Sequence, residues 1–312
     1  MKIRLGYVSI TNALEHSSSS VMTYKYFSSN DRKTVLEKLD KTINSNLDAL
    51  YEILKYNISN DITFYRMTSK LFPLSTHEKV SLDINKYSDK LKLIGKFIKD
   101  NNMRVGTHPD QFCLINSTKK EVLDYSIKIL EEHIKIFNLM EYYDGYIVIH
   151  TGSGEGGKED SIKRFEENYK HISNNIKKYL VLENDDRVFN IIDTLNLCEK
   201  LNIPMVFDYH HYICNNKGEN YIDYINRIVD TWKDKKVKMH FSSPKNSKQI
   251  RSHSEYLNIN TFVKFVESLK CINKDIDIML ECKMKDDALF RITRQLKYRG
   301  YNFVNDTTFI IL

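Results

Sequence analysis

The sequence predicts a (β/α)8 TIM barrel of the α/β class, formed as one domain over residues 1–312, and three observations carry that prediction. Short β-like apolar runs alternate with segments whose apolar residues recur at helical spacing. About eight such units are present, the number that closes a parallel barrel. Nine residues able to bind metal are dealt out about one per unit, and most of them close an apolar run. A doubly wound open sheet would also alternate, but its ligands gather at one switch point, whereas here candidate ligands follow six or more strands.

The strand-like runs begin with IRLGYV (3–8) and DITFY (61–65) and end with IDIML (276–280). One helix is marked by Leu36, Leu39, Ile43, Leu47, Leu50 and Leu54, and a second by Leu91, Ile94 and Ile98. A third carries Ile162, Phe165, Tyr169, Ile172 and Ile176. Ile222, Ile225, Val229 and Trp232 form a later stripe, and Phe262, Phe265, Val266 and Leu269 another. Among the runs between these helices, MRVGT leads to His108, GYIVI to His150, YLVL to Glu183, PMVF to Asp208, VKM to His240 and IDIML to Glu281. In a parallel barrel such strand ends converge on one face. No internal repeat is visible, and SSSS (17–20) reads as a loop.

Composition supports one domain, because only 4 Pro and 10 Gly occur, no linker-like stretch is present, and a 41% hydrophobic fraction suffices for a sizeable core. Lys2 and Arg4 precede no apolar signal region, and no run approaches the ~20 apolar residues of a membrane span. A soluble cytoplasmic protein, monomeric and without a membrane partner, is expected. Five cysteines, an odd count without a CxxC pair, argue against a disulfide framework or zinc finger. They read as free, buried thiols in a reducing compartment. A net charge of +6 and a pI near 8.8 favour a polyanionic partner.

The candidate ligands are His77, His108, His150, Glu183, Asp208, His211, His240, His253 and Glu281. Mixed imidazole and carboxylate sets suit zinc, manganese or ferrous iron. One mononuclear site uses three or four protein ligands, so nine imply two or three ions, bridged by a carboxylate such as Glu183 or Glu281. Bridged ions are built for phosphate chemistry. Any single histidine reads equally well as a hydrogen-bonded structural residue, and the weight lies in their joint placement. His133 and His171 fall in helical segments and are expected on outer helices without a role, while His16 and His210 fit either reading.

Asp208 and His211, in FDYHH (207–211), are spaced to reach two different ions. Lys238 and His240 lie two apart on a strand and share a face, which aims the lysine into the mouth. Its charge must be balanced by substrate phosphate, removed by deprotonation, or converted by carbamylation into an anionic ligand; an ordinary salt bridge is the plainer alternative. THPDQF (107–112) sets Gln111 and Phe112 just beyond His108 in a loop expected to be exposed. There an apolar wedge beside an amide can enter a base stack and fill the gap left by extruded nucleotides, whereas burial of Phe112 in the core is the competing expectation. TGSGEGG (151–157) precedes a helix but lacks the GKS or GKT ending of a Walker motif, so its phosphate-loop signal is weak.

THPDQF, VIHTGSGEGGKED, LVLENDD, VFDYHH, HFSSPK with IRSHSEY, and IMLECKMKD resemble the UV damage endonucleases in order and spacing over roughly residues 1–290. The last twenty or so residues add nothing to that likeness. The resemblance implies a TIM-barrel DNA repair enzyme, related in architecture to endonuclease IV, that nicks UV-damaged double-stranded DNA on the 5′ side of a photoproduct. The products would carry 3′-hydroxyl and 5′-phosphate ends. It also implies that the nine residues named above are ligands of two or three divalent ions, with manganese favoured and zinc compatible. Lys238 aligns with a modified, carboxylated lysine, and Glu183, Lys238 and Tyr7 with catalytic positions, Tyr7 and Lys238 also contacting the DNA phosphate. Gln111 and Phe112 match a lesion-probing pair, with Phe112 lacking the hydroxyl of the tyrosine that some members carry. A xylose isomerase-like sugar isomerase or epimerase, sharing the barrel and a metal-bearing mouth, is the alternative, although nine ligands exceed its need.

Overall fold

In the computed structural model, which describes all 312 residues, eight parallel strands close into a ring. They are β1 (Lys2–Ser9), β2 (Phe64–Met67), β3 (Arg104–Thr107), β4 (Tyr146–His150), β5 (Leu180–Glu183), β6 (Met205–Asp208), β7 (Val237–Phe241) and β8 (Ile276–Leu280). Neighbours pair in chain order from β2 to β8, then β8 pairs with β1 and β1 with β2. This is the TIM barrel that the alternating pattern predicts. No helix is long and apolar enough to cross a membrane.

The outer helices follow the apolar stripes, with two differences. In the helix Arg32–Ser59, opened by the Asp31 side chain accepting from the Thr34 amide, Leu39, Ile43, Leu47, Leu50 and Leu54 are buried but Leu36 is 37% exposed. The buried arc has rotated past Leu36 and takes in Val35 and Ile53 instead. The third predicted helix is two: Lys158–His171 stops at Ile172, whose backbone is extended (φ −70°, ψ 140°). Ser173 then caps Asn174–Tyr179 by accepting from the Ile176 amide, so the serine's competition for backbone donors overrides an unbroken apolar stripe.

Inside the bore, the floor is organised by Asp277, a carboxylate with no exposed surface. Arg4 grips it with two hydrogen bonds of 2.8 and 2.7 Å, and Arg104 and Lys236 each reach it at 2.8 Å. Burial pushes this carboxyl up, but the Arg4 hydrogen bond and the charges of Arg4, Arg104 and Lys236 outweigh burial and hold it below the usual range. Gly106 makes room above the floor: a Cβ there would sit 2.1 Å from the Tyr146 ring. The chain ends in a hairpin that sequence patterning passed over, β9 (Asn302–Asn305) and β10 (Thr308–Ile310), with β10 antiparallel to β1.

His133 lies on the outer helix Lys120–Leu139, as expected, and is turned inward at 6% exposure with Nδ1 unpartnered. Burial, with a smaller push from His108, lowers it to about 4. All five cysteines are free thiols, but Cys271 is exposed rather than buried.

Glu132 pins the connection after β2 to the helix Lys120–Leu139. The Ser75 hydroxyl lies 2.6 Å from the Phe72 carbonyl and 2.5 Å from Glu132 Oε1. One hydroxyl proton cannot serve both acceptors, so a protonated Glu132 completes the pair by donating. Burial raises this carboxyl to about 7 from its ordinary 4.5, against the opposing Ser75 hydrogen bond. A folded-state value above the unfolded one means the stabilisation is fully present below about pH 4.5 and is lost as pH rises through about 7. Urea unfolding at pH 5 and pH 8 should therefore show the parent losing on the order of 2–3 kcal/mol relative to Glu132→Gln, whose neutral amide does not titrate.

Candidate metal centre

Two residues on neighbouring parallel strands that share a register position are held side by side. His150 of β4 pairs with Glu183 of β5, and Asp208 of β6 pairs with His240 of β7, all at the C-terminal strand ends. His108 lies one residue beyond β3 and Glu281 one beyond β8, so both enter the same mouth. Asn184, fully buried, locks the β5 and β6 ends together by donating to the Asp208 carbonyl at 3.0 Å and accepting from the Asp208 amide at 2.9 Å.

Three groups of donors result, the atoms of each lying within 4.8 Å of one another: His108, His150 and Glu183; Glu183, Asp208 and His211; Glu183, His240 and Glu281. Glu183 belongs to all three. Its Oε2 faces His108 Nε2 at 3.0 Å and His150 Nε2 at 3.6 Å, while Oε1 faces His240 Nδ1 at 2.6 Å and His211 Nδ1 at 3.6 Å. Burial pushes Glu183 up, but the charges of His240 and His150 and the hydrogen bonds from His108 and His240 hold it well below the usual carboxylate range. Burial likewise pushes Glu281 up, and Arg66 with His240 reverses the effect. His211 is driven down by burial but raised overall to about 9 by Asp208, Glu183 and Glu281.

The donor chemistry fits divalent cations. His108 Nδ1 lies 2.9 Å from the Pro109 carbonyl, and His211 Nδ1 2.9 Å from the Asn184 carbonyl. A metal-binding histidine typically donates its second N–H to such an acceptor, which orients the ring and frees Nε2. For His108 that leaves a lone pair facing Glu183 Oε2, an arrangement that requires a proton or a cation between them. Asp208 Oδ2 is buried without a hydrogen-bond partner, a state costing roughly 1–3 kcal/mol or more unless a positive group reaches it.

Lys238 has no exposed surface and no carboxylate partner, which removes the ordinary salt bridge from its readings. Its Nζ donates to His240 Nε2 at 2.5 Å, and His240 in turn must donate from Nδ1 to Glu183, since a carboxylate only accepts. Burial, reinforced by the charge of Arg66, pushes the amine far below its ordinary value against the pull of Glu183 and Glu281.

Other candidates fall at different distances from the centre. His253 lines the mouth cavity beside His108, His150 and His211, with its ring 4.8 Å from that of His210, but it belongs to none of the three groups. His77 also lies outside them, its ring stacked on Tyr24 at 3.8 Å. Tyr7 is a correction. It alternates with the inward Arg4 and Gly6 positions, so it faces outward, packs against the Tyr65 ring at a 58° tilt and donates to Asn57 Oδ1 at 2.7 Å. It cannot contact a phosphate bound at the mouth. Phe112 is 64% exposed, which removes the core reading, and with the exposed Gln111 it walls a cavity of about 520 Å³ over the histidines. Arg187 and Arg251 form part of the same wall.

The glycine-rich segment 151–157 is braced rather than open for phosphate: Asn116 donates to the Ser153 carbonyl at 2.7 Å and accepts from its amide at 2.9 Å. Gly152 permits that close approach at φ +117°. Arg66 of β2 went unrecognised from the sequence, and it pairs with Glu281 inside the mouth. Strand parity from Phe64 would have placed it inward, had the run been extended beyond residue 65. A separate cavity of about 670 Å³, between Glu15 and the helix Arg32–Ser59, is walled by His16, Asp40, Asp48 and Glu52, whose donor atoms do not gather as closely as those at the mouth.

Fold and donors together define a TIM-barrel protein whose C-terminal mouth is suited to binding divalent cations. The chain belongs to the UV-endonuclease family: the family model described as UV-endonuclease UvdE matches residues 3–309. The UV DNA damage endonuclease of Bacillus cereus (strain B4264) is 38% identical over 301 residues, covering 95% of each chain. The crystal structure of SacUVDE matches with a TM-score of 0.85 at 34% identity, over 96% of this chain and 99% of that one. Endonuclease IV from Thermus thermophilus, at 12% identity and TM-score 0.56 over 80% of this chain and 95% of its own, shares the fold. Membership makes the chain a DNA-cleaving repair enzyme, and the family match includes most of the terminal hairpin.

Asn184→Leu should separate scaffold from chemistry. It leaves the Asp208 amide and carbonyl buried without these partners, so urea unfolding is expected to show a loss on the order of 3 kcal/mol.

Proposed function

We propose that this protein nicks the phosphodiester on the 5′ side of UV photoproducts in double-stranded DNA, using divalent ions at the barrel mouth and leaving 3′-hydroxyl and 5′-phosphate ends. The observation that carries this reading is a single buried carboxylate, Glu183, common to three donor groups beneath an exposed wedge residue. When bound, two or three ions, manganese in preference to zinc, would polarise the phosphodiester and make the attacking water available at neutral pH.

The chain's own residues have distinct tasks. Glu183 is the bridging carboxylate, and His108, His150, Asp208, His211, His240 and Glu281 supply the surrounding donors, with His253 and His77 as outlying members of the set. Lys238 holds the His240 ring against Glu183. Burial favours its neutral amine form, the form that carbon dioxide carboxylates, and the resulting carbamate would add an anionic ligand. Gln111 and Phe112 enter the base stack where a photoproduct has weakened it, while Arg187 and Arg251 meet backbone phosphates at the rim. The chain acts as one domain over residues 1–312, as a cytoplasmic monomer. Family membership and the shared carboxylate favour this reading over a sugar isomerase.

Incubation with Mn²⁺ and UV-irradiated supercoiled plasmid should give nicked circles, abolished by chelator; sugar turnover without nicking would instead establish the isomerase reading. Glu183→Gln is expected to cut at least about 10³-fold more slowly while still folding, the scale of losing a central electrostatic element. Near-parental nicking with unchanged metal content would remove Glu183 from its bridging role.

Gln111→Ala combined with Phe112→Ala should lose preference for damaged DNA and keep its metal. Each lost stacking contact is worth about 1–3 kcal/mol of specific binding. Fluorescence of 2-aminopurine opposite a photoproduct reports the unstacking, and parental flipping and incision by the double variant would place lesion reading elsewhere.

A further inference from the structure

The floor of the barrel holds a third cavity, of about 590 Å³, at the strand ends opposite the metal-binding mouth. Arg104 and Tyr146, the first residues of β3 and β4, frame it together with Lys235 and Lys236 just before β7. Its size lies within the ~300–1,000 Å³ of small-molecule sites.

The charges around it do not balance. Arg104 and Lys236 are committed to Asp277, and Lys99 lies 3.8 Å from Glu141. Lys178 and Lys235 have no carboxylate oxygen within 4.0 Å, so Asp144, the one acid in the cavity wall, pairs with neither. Lys235 is pushed below its ordinary value by burial, with Arg104 and Lys178 adding like charge against the pull of Asp144, and a bound anion would relieve that repulsion.

One further feature points to a ligand with more than a phosphate. Tyr143 presents a ring 55% exposed at the edge of the cavity, with Lys178 Nζ 5.9 Å from its centroid. An exposed aromatic face beside a free ammonium is the arrangement that stacks a base while holding its phosphate.

We propose that the floor cavity binds a nucleoside monophosphate, with the phosphate between Lys178 and Lys235 and the base against Tyr143. This site does not rest on the cleavage chemistry of the mouth.

Isothermal titration of the metal-loaded protein with deoxyadenosine monophosphate tests it. A saturating undamaged duplex occupies the mouth during the titration. The parent should bind one equivalent that Lys178→Ala/Lys235→Ala lacks, and Tyr143→Ala should weaken binding by at least about fivefold, the lower end of a stacking contact. Inorganic phosphate and deoxyadenosine, titrated separately, should each bind at least about tenfold more weakly than the nucleotide, as expected when both halves contribute. Nicking of irradiated plasmid by the double lysine variant should match the parent and certify its fold; Lys178→Gln/Lys235→Gln replaces it if it does not. An unchanged nucleotide titration in a folded lysine variant, no binding by the parent, or phosphate binding as tightly as the nucleotide would overturn the proposal.

Discussion

Side chains alternate along a strand with a period of two, and eight parallel strands closed in register leave only a few inward positions at each end of the bore. That constraint governs what this chain can do. At the C-terminal ends it sets His150 beside Glu183 and Asp208 beside His240. At the N-terminal ends the same registers set Arg4 and Lys238 beside Asp277, whose carboxylate draws in Arg104 and Lys236. The strand-end imidazoles therefore collect with Glu183, Asp208 and Glu281 at one end, where Arg66 is the paired cation, and Arg4, Arg104 and Lys236 collect around Asp277 at the other.

The two ends handle buried charge differently. The floor is nearly self-sufficient, because Asp277 has three cationic partners and ion pairs of this kind survive burial only when their hydrogen bonds are complete. The mouth is incomplete by the same standard. Asp208 Oδ2 lacks a partner, and two histidines spend one nitrogen on backbone carbonyls while presenting the other to the cavity. The residues that hold the barrel closed thus satisfy one another, whereas those at the mouth are left to be satisfied by what binds there.

Much of this was legible in the sequence, for identifiable reasons. Alternation of apolar runs and helical stripes gave the barrel, and His108, His150, Glu183, Asp208, His240 and Glu281 were found because each ends a run that only a strand explains. Tyr7 was misjudged because likeness to a family motif does not state which face of β1 a residue occupies; parity does. Arg66 escapes the pattern for a related reason, since the apolar run closes at Tyr65 while the strand continues through a charged, inward residue. The break at Ile172 turned on a serine cap, and the final hairpin on pairing with β1, some three hundred residues away in the chain. Local periodicity contains neither.

Tyr146 gives the molecule a partition. Its ring lies 5.3 Å from the Arg104 guanidinium on the floor side and 4.5 Å from Lys238 Nζ on the other, filling the space that Gly106 leaves. Lys238 has no exposed surface, and its one polar contact leads upward through His240 to Glu183. That amine therefore meets the metal centre only by way of the imidazole, and the ring beneath separates it from the solvent at the base of the barrel.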